Sequence, residues 1–166
     1  MVKNNRIEIY TDGSCHTKIG IGAWAALILL TDRREILTGV EEDTTHNRME
    51  LVSVIKAIGF VANNKPEASL RIYSDSQYVC TLPDRLPRLA QNAFLTRRGT
   101  EIQNADLVKT FIKLTEAHDI EWIKIKAHQR DGSEQANHNR FVDKLSRKLV
   151  RERIVQLKFR SDLQKG

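Results

Sequence analysis

The sequence predicts an α/β domain: a mixed five-stranded sheet, three antiparallel strands followed by parallel ones, flanked by helices. Three observations lead there. The chain opens with three strand patterns joined by short turns, which suits antiparallel pairing. Strand and helix patterns then alternate, giving the order βββ-α-β-α-β-α. Strands joined through helices return parallel to the first, by right-handed crossovers.

Each element has its own signal. Arg6 to Thr11 alternates with period two and runs into Asp12-Gly13, a strand entering a turn. Ala23 to Leu30 is apolar throughout and reads as a buried strand; Arg34 to Val40 follows the Asp32-Arg33 turn as a third. Thr44-Thr45 supplies an N-cap, and Met49, Leu51, Val52, Ile55 and Ile58 recur at helical spacing until about Asn63-Asn64. Leu70 to Ser74 is a strand that ends at Asp75. Asp106 to His118 carries Leu107, Val108, Phe111, Ile112 and Leu114 on one helical face. Ile120 to Ala127 alternates as a last strand, and Asn139 to about Arg153 forms a last helix over Val142, Leu145 and Leu149. Residues 76–105 are expected to be helical or looped.

A chain of 166 residues fits one domain and buries enough surface to fold without a staple. Two unpaired cysteines, Cys15 and Cys80, exclude a disulfide framework and a cysteine zinc site. The longest apolar run is too short to cross a membrane and the N-terminus has no signal-peptide core, so a cytoplasmic protein with no membrane partner is expected. The charge is uneven. Residues 144–166 hold eight basic side chains and two acidic ones, which accounts for the whole net charge of +6. A basic end on a neutral body fits a polyanion partner, and it equally fits a solvated helix and tail.

The strand ends carry the chemistry. Tyr10-Thr-Asp12-Gly-Ser and Tyr73-Ser-Asp75-Ser-Gln end two strands alike. Taken singly, such an aspartate is an ordinary turn residue. Two at one edge of a sheet, where adjacent strands lie about 4.8 Å apart, form a pair. Glu50 and Asp143 both sit beside apolar helix positions, and a carboxylate that close to a core needs a cation. Four converging carboxylates without matching lysines suit two divalent cations, and hard oxygen ligands favour magnesium or manganese. Such a pair of ions cuts phosphodiesters by in-line displacement.

Four blocks resemble type 1 ribonuclease H: Ile9-Tyr-Thr-Asp12-Gly-Ser-Cys15, Thr44-Thr-His-Asn-Arg-Met-Glu50-Leu51, Tyr73-Ser-Asp75-Ser-Gln-Tyr-Val79, and Lys126-Ala-His128 with Asn139-Arg-Phe-Val-Asp143-Lys-Leu145. They span roughly residues 6–150 in the family's order. The resemblance implies the ribonuclease H-like mixed five-stranded sheet. It implies endonucleolytic, magnesium-dependent cleavage of the RNA strand of RNA–DNA hybrid duplexes, leaving 3′-hydroxyl and 5′-phosphate ends. By it, Asp12, Glu50, Asp75 and Asp143 are catalytic metal ligands for two Mg2+ ions, with Mn2+ as a substitute, and His128 assists proton transfer or product departure. Cys15, Thr45, His46, Asn47, Gln77 and Asn104 fall on substrate-contacting positions, where amides can meet the 2′-hydroxyls that tell RNA from DNA.

The chain departs from the family's pattern in several places. His16-Thr-Lys18-Ile-Gly-Ile-Gly22 replaces a glycine- and proline-rich loop, and His46 replaces a common asparagine. The stretch that grips hybrid in bacterial members here holds Pro83 and Pro87, which should break or shorten a helix, with Phe94 as a stacking residue. A long loop is expected from His128 towards Asp143. Trp24 and Trp122 read as core, His118 as a helix C-terminal cap, and His16 and His138 as surface. The expected organisation is a ribonuclease H catalytic domain over residues 1–153, a basic extension over 154–166, and a monomer. The alternatives are a DNA-acting nuclease or strand-transfer enzyme of the same fold, and a non-catalytic hybrid-binding module.

Overall fold

The computed structural model describes residues 6–127 and 131–166. Strands β1 (Ile7–His16), β2 (Ile21–Leu29) and β3 (Arg34–Glu41) form an antiparallel meander. Helix α1 (His46–Asn64) leads to β4 (Leu70–Ser74), then α2 (Gln77–Gln91), α3 (Ala105–Glu116), β5 (Ile120–Lys124) and α4 (Glu134–Gln164). β4 pairs parallel to β1, and β5 parallel to β4, giving the sheet order β3-β2-β1-β4-β5. This is the mixed five-stranded sheet that the hydrophobic patterns predict.

Alternation along β1 divides the core. Ile9 faces one side with Leu51, Val54 and Ile58 of α1 and Val108 and Phe111 of α3. Tyr10 faces the other, with Tyr73, Leu27 and Val142 of α4. Thr45 caps α1 as expected, its hydroxyl accepting the Arg48 amide at 3.2 Å. Arg48 then reaches Asp106 at 3.0 Å and ties α1 to the first turn of α3. Trp24 is buried, Trp122 packs tilted against Phe111 at 5.4 Å, and the His118 ring lies 2.9 Å from the Leu114 carbonyl at the end of α3.

Several expectations are corrected. β1 does not stop at Asp12-Gly13; it continues to His16, because β2 supplies an antiparallel partner for every residue to the end. Pro83 and Pro87 lie inside α2 without ending it. They withhold two amide donors, but Val79 and Leu82 are buried and Tyr78, Leu86 and Leu89 pack on the same core, so tertiary contact keeps the segment helical. Phe94, expected to stack on substrate, packs against that core, with the Lys109 ammonium 5.4 Å from its ring. β5 ends at Lys124 rather than Ala127. The last helix is 31 residues long, starting five residues earlier than Asn139 and continuing well past Arg153. Ser133 caps it, accepting the Ala136 amide at 3.1 Å, and no glycine or proline interrupts it. His138 is half-buried, not on the surface, with its ring 4.9 Å from Tyr10. Burial and the nearby Arg34 charge lower its pKa.

Candidate active site

Parallel register puts two aspartates together. Tyr10 pairs with Tyr73 across β1 and β4, and the two rings stack at 4.5 Å. Asp12 and Asp75 each follow two residues later, so both lie just past the last parallel pair, Asp12 within β1 and Asp75 beside it at the carboxyl end of β4. Open α/β sheets gather ligands there. Gly13 brings in the third carboxylate: a side chain on it would collide with the Glu50 amide, so only glycine lets α1 approach β1 this closely. One oxygen from each of Asp12, Glu50 and Asp75 then lies within 4.8 Å of the others.

The three line a cavity of about 630 Å³ with Cys15, His46, Asn47, Ser76, Gln77, Asp143 and Arg147. Asp12 and Glu50 are only 7% and 6% exposed, which makes their negative charges costly. Burial is the main reason that the Asp12 carboxyl is raised from 3.8 to about 7; repulsion from Asp75 adds to it. The Ser146 hydroxyl opposes the shift by donating to Asp12 at 2.8 Å. Glu50 accepts a hydrogen bond from the Ser76 hydroxyl and lies 2.9 Å from the His46 ring. That hydrogen bond with Glu50 raises the His46 pKa, favouring imidazolium beside the cluster.

Asp143 lines the same cavity from the third turn of α4, but its carboxylate is not among the three that close to 4.8 Å. It pairs with Arg147 one turn on, at 2.8 Å. Cys15, His46, Asn47 and Gln77 all reach the cavity wall. Thr45 and Asn104 do not line it; Thr45 caps α1, and Asn104 occupies the left-handed residue before α3. The Cys15 thiol lies 3.5 Å from the Thr44 carbonyl, and burial raises its pKa, which keeps it protonated and poorly reactive. His128 lies outside the described residues. Ser76, Ser146 and Arg147 were not anticipated. Their signal in the sequence is slight: Ser76 adjoins Asp75, while Ser146 and Arg147 stand three and four residues after Asp143, one helical turn on.

Three mutually repelling carboxylates, two of them nearly dehydrated, form an oxygen donor set that fits a hard divalent cation. The set lies on a mixed sheet where β4 ends beside the middle of β1.

The RNase H family model matches residues 4–151. A ribonuclease H from Caldanaerobacter subterraneus is 33% identical over 159 residues, covering 93% of this chain and 99% of its own length. One from Pseudomonas paraeruginosa is 34% identical, covering 89% of this chain and 100% of its own. The chain belongs to the RNase H family. Solved structures agree on the fold. A type 1 RNase H with a type 2 active-site motif superposes with a TM-score of 0.73 at 23% identity, over 87% of this chain and 71% of its own. A foamy viral protease-reverse transcriptase, solved with an RNA/DNA hybrid, gives 0.72 at 19%, over 87% of this chain and 20% of its own.

Proposed function

We propose that the protein is a divalent-metal-dependent endoribonuclease that hydrolyses the RNA strand of RNA–DNA hybrids. The carboxylate triad carries the reading: Asp12, Glu50 and Asp75 converge within 4.8 Å in one open cavity of a family whose members are named for this activity. Asp12, Glu50 and Asp75 would hold magnesium, with Asp143 completing the set on release from Arg147. Divalent ions held by these residues would supply polarisation of the phosphoryl group, activation of a water and charge balance for the departing oxygen.

This chain's own residues do the rest. Ser146 and Ser76 fix the ligand carboxylates of Asp12 and Glu50 by donating to them, so the ligand geometry is set before substrate arrives. Asn47 and Gln77, on the rims supplied by α1 and α2, present amides to the minor groove, where 2′-hydroxyls mark the RNA strand. Water attacks phosphorus, the bond to the 3′-oxygen breaks, and the leaving oxygen takes up a proton. The products are a 5′-phosphate and a 3′-hydroxyl. His128 is the residue proposed to move that proton.

The test is cleavage of end-labelled RNA in a hybrid, set against duplex RNA, duplex DNA and single strands, with magnesium, manganese or chelator. Cleavage confined to the hybrid and dependent on a divalent ion is expected. Equal cutting of duplex DNA, or near-wild-type turnover by Asp75→Asn, overturns the reading.

A further inference from the structure

Helix α4 carries a row of cations that starts in the cavity and leaves it along the helix. Arg147 lines the cavity beside Asp143. Positions 4, 11 and 18 residues further on fall within about 40° of the same direction around an α-helix. They are Arg151, Lys158 and Lys165, the last being the C-cap residue. All three are exposed, and among the described residues none of them lies within ion-pair distance of a carboxylate. Asp162 is the acidic residue nearest the row, at its far end; Glu152 lies on the neighbouring flank and is engaged by Lys148 at 3.7 Å.

The packed side of the helix borders the row on one flank. Val142, Ser146 and Val150 are buried, Leu157 and Ile154 (the latter about 20° from Arg147 around the helix) pack on Ile21 and Ala23, and Arg153 pairs with Glu42. The family match ends at residue 151, so Lys158 and Lys165 lie beyond it.

We propose that this flank of α4 is a second nucleic-acid contact, holding the phosphates of the duplex arm that leaves the cavity. It rests on the hybrid-substrate reading above. From Arg147 to Lys165 the helix rises ~27 Å, most of the ~34 Å turn of a duplex. A straight row cannot follow a groove, so it meets phosphates at two or three points rather than continuously. Charge and continuity with the cavity favour a polyanion. Val155, Phe159 and Leu163 form an exposed apolar stripe beside the row, which would suit an anionic lipid surface instead.

The experiment measures equilibrium binding of the full chain to hybrids of about 6 and about 20 base pairs, in chelator, between 50 and 200 mM salt. In the triple variant Arg151→Gln, Lys158→Gln, Lys165→Gln, the log–log salt slope for the long hybrid should fall by ~2, at ~0.7–0.9 per lost contact. Its affinity should weaken ~10- to 100-fold, while the short hybrid binds as before. The charge-preserving variant Arg151→Lys, Lys158→Arg, Lys165→Arg should restore the slope. An unchanged slope in the triple glutamine variant overturns the proposal, as does failure of the charge-preserving variant to restore it. Loss of binding to phosphatidylserine vesicles with hybrid binding intact would make the row a lipid contact and also overturn it. If the wild-type protein neither binds nor cuts hybrid, the substrate reading itself falls.

Discussion

Asp12 illustrates how a proposed metal ligand destabilises its own fold when no cation is bound. Its carboxyl titrates near 7 in the fold against 3.8 in the open chain, so the folded protein holds a proton that the unfolded chain gives up. Stability of the metal-free protein therefore falls as pH rises from about 4 to 7 and levels off above that. Asp12→Asn removes the conflict. In chelator at pH 8 it should stabilise the protein by on the order of 2–4 kcal/mol, and the gain should vanish near pH 4; paired thermal melts at the two pH values check it. The same variant should lose nearly all cleavage. His128→Ala should slow turnover ~10- to 1,000-fold and leave the Michaelis constant little changed, because a proton-transfer group acts on the reaction rather than on docking. Steady-state kinetics on a hybrid decide that, and an unchanged turnover number would demote the residue.

At the scale of elements, each side of the site depends on one close approach. Gly13 admits α1 to β1, and Gly13→Ala should displace Glu50 and cost both stability and metal affinity. Calorimetric titration of magnesium would show it as weaker binding, and unaltered affinity would refute the role. On the other face, α4 holds Ser146 and Asp143 in place while its distal turns rest on β2 through Ile154 and Leu157. Ending the chain at Arg153 should lower the melting temperature, since removing two half-buried aliphatic side chains costs ~1–3 kcal/mol. Basic tail and structural helix are thus the same segment: the flank that packs, through Ile154 and Leu157, adjoins the flank that carries the exposed cations.

For the molecule as a whole, the carboxylate cluster links metal, pH and fold. Divalent ions should raise the melting temperature, and more at pH 8 than at pH 5, because protons compete for Asp12. His46 works in the same direction: its pairing with Glu50 stabilises the metal-free protein at low pH, and that contribution is lost as pH rises through its raised pKa. Calcium should stabilise the protein as well, yet support little cleavage, because its larger and looser coordination shell misplaces the attacking water. Melting scans and cleavage assays with each ion test both statements.

The sequence by itself determined the sheet, its strand directions and the pair of aspartates two residues beyond Tyr10 and Tyr73, because these follow from local periodicity and from short or helical connections; that β1 runs on past Asp12 to His16 it did not. It also marked Glu50 and Asp143, as polar residues beside apolar helix positions. Tertiary structure decided the rest. Whether α2 survives Pro83 and Pro87 depends on the core that Val79 and Leu82 find, which no local propensity contains. That Thr45 caps a helix while Asn47, two residues on, reaches the cavity depends on how α1 is seated against β1. Ser76 and Ser146 became donors to the carboxylates only once packing brought distant segments together, whereas Arg147 meets Asp143 within one turn of α4. Periodicity records which way a side chain faces; only packing determines what it meets there.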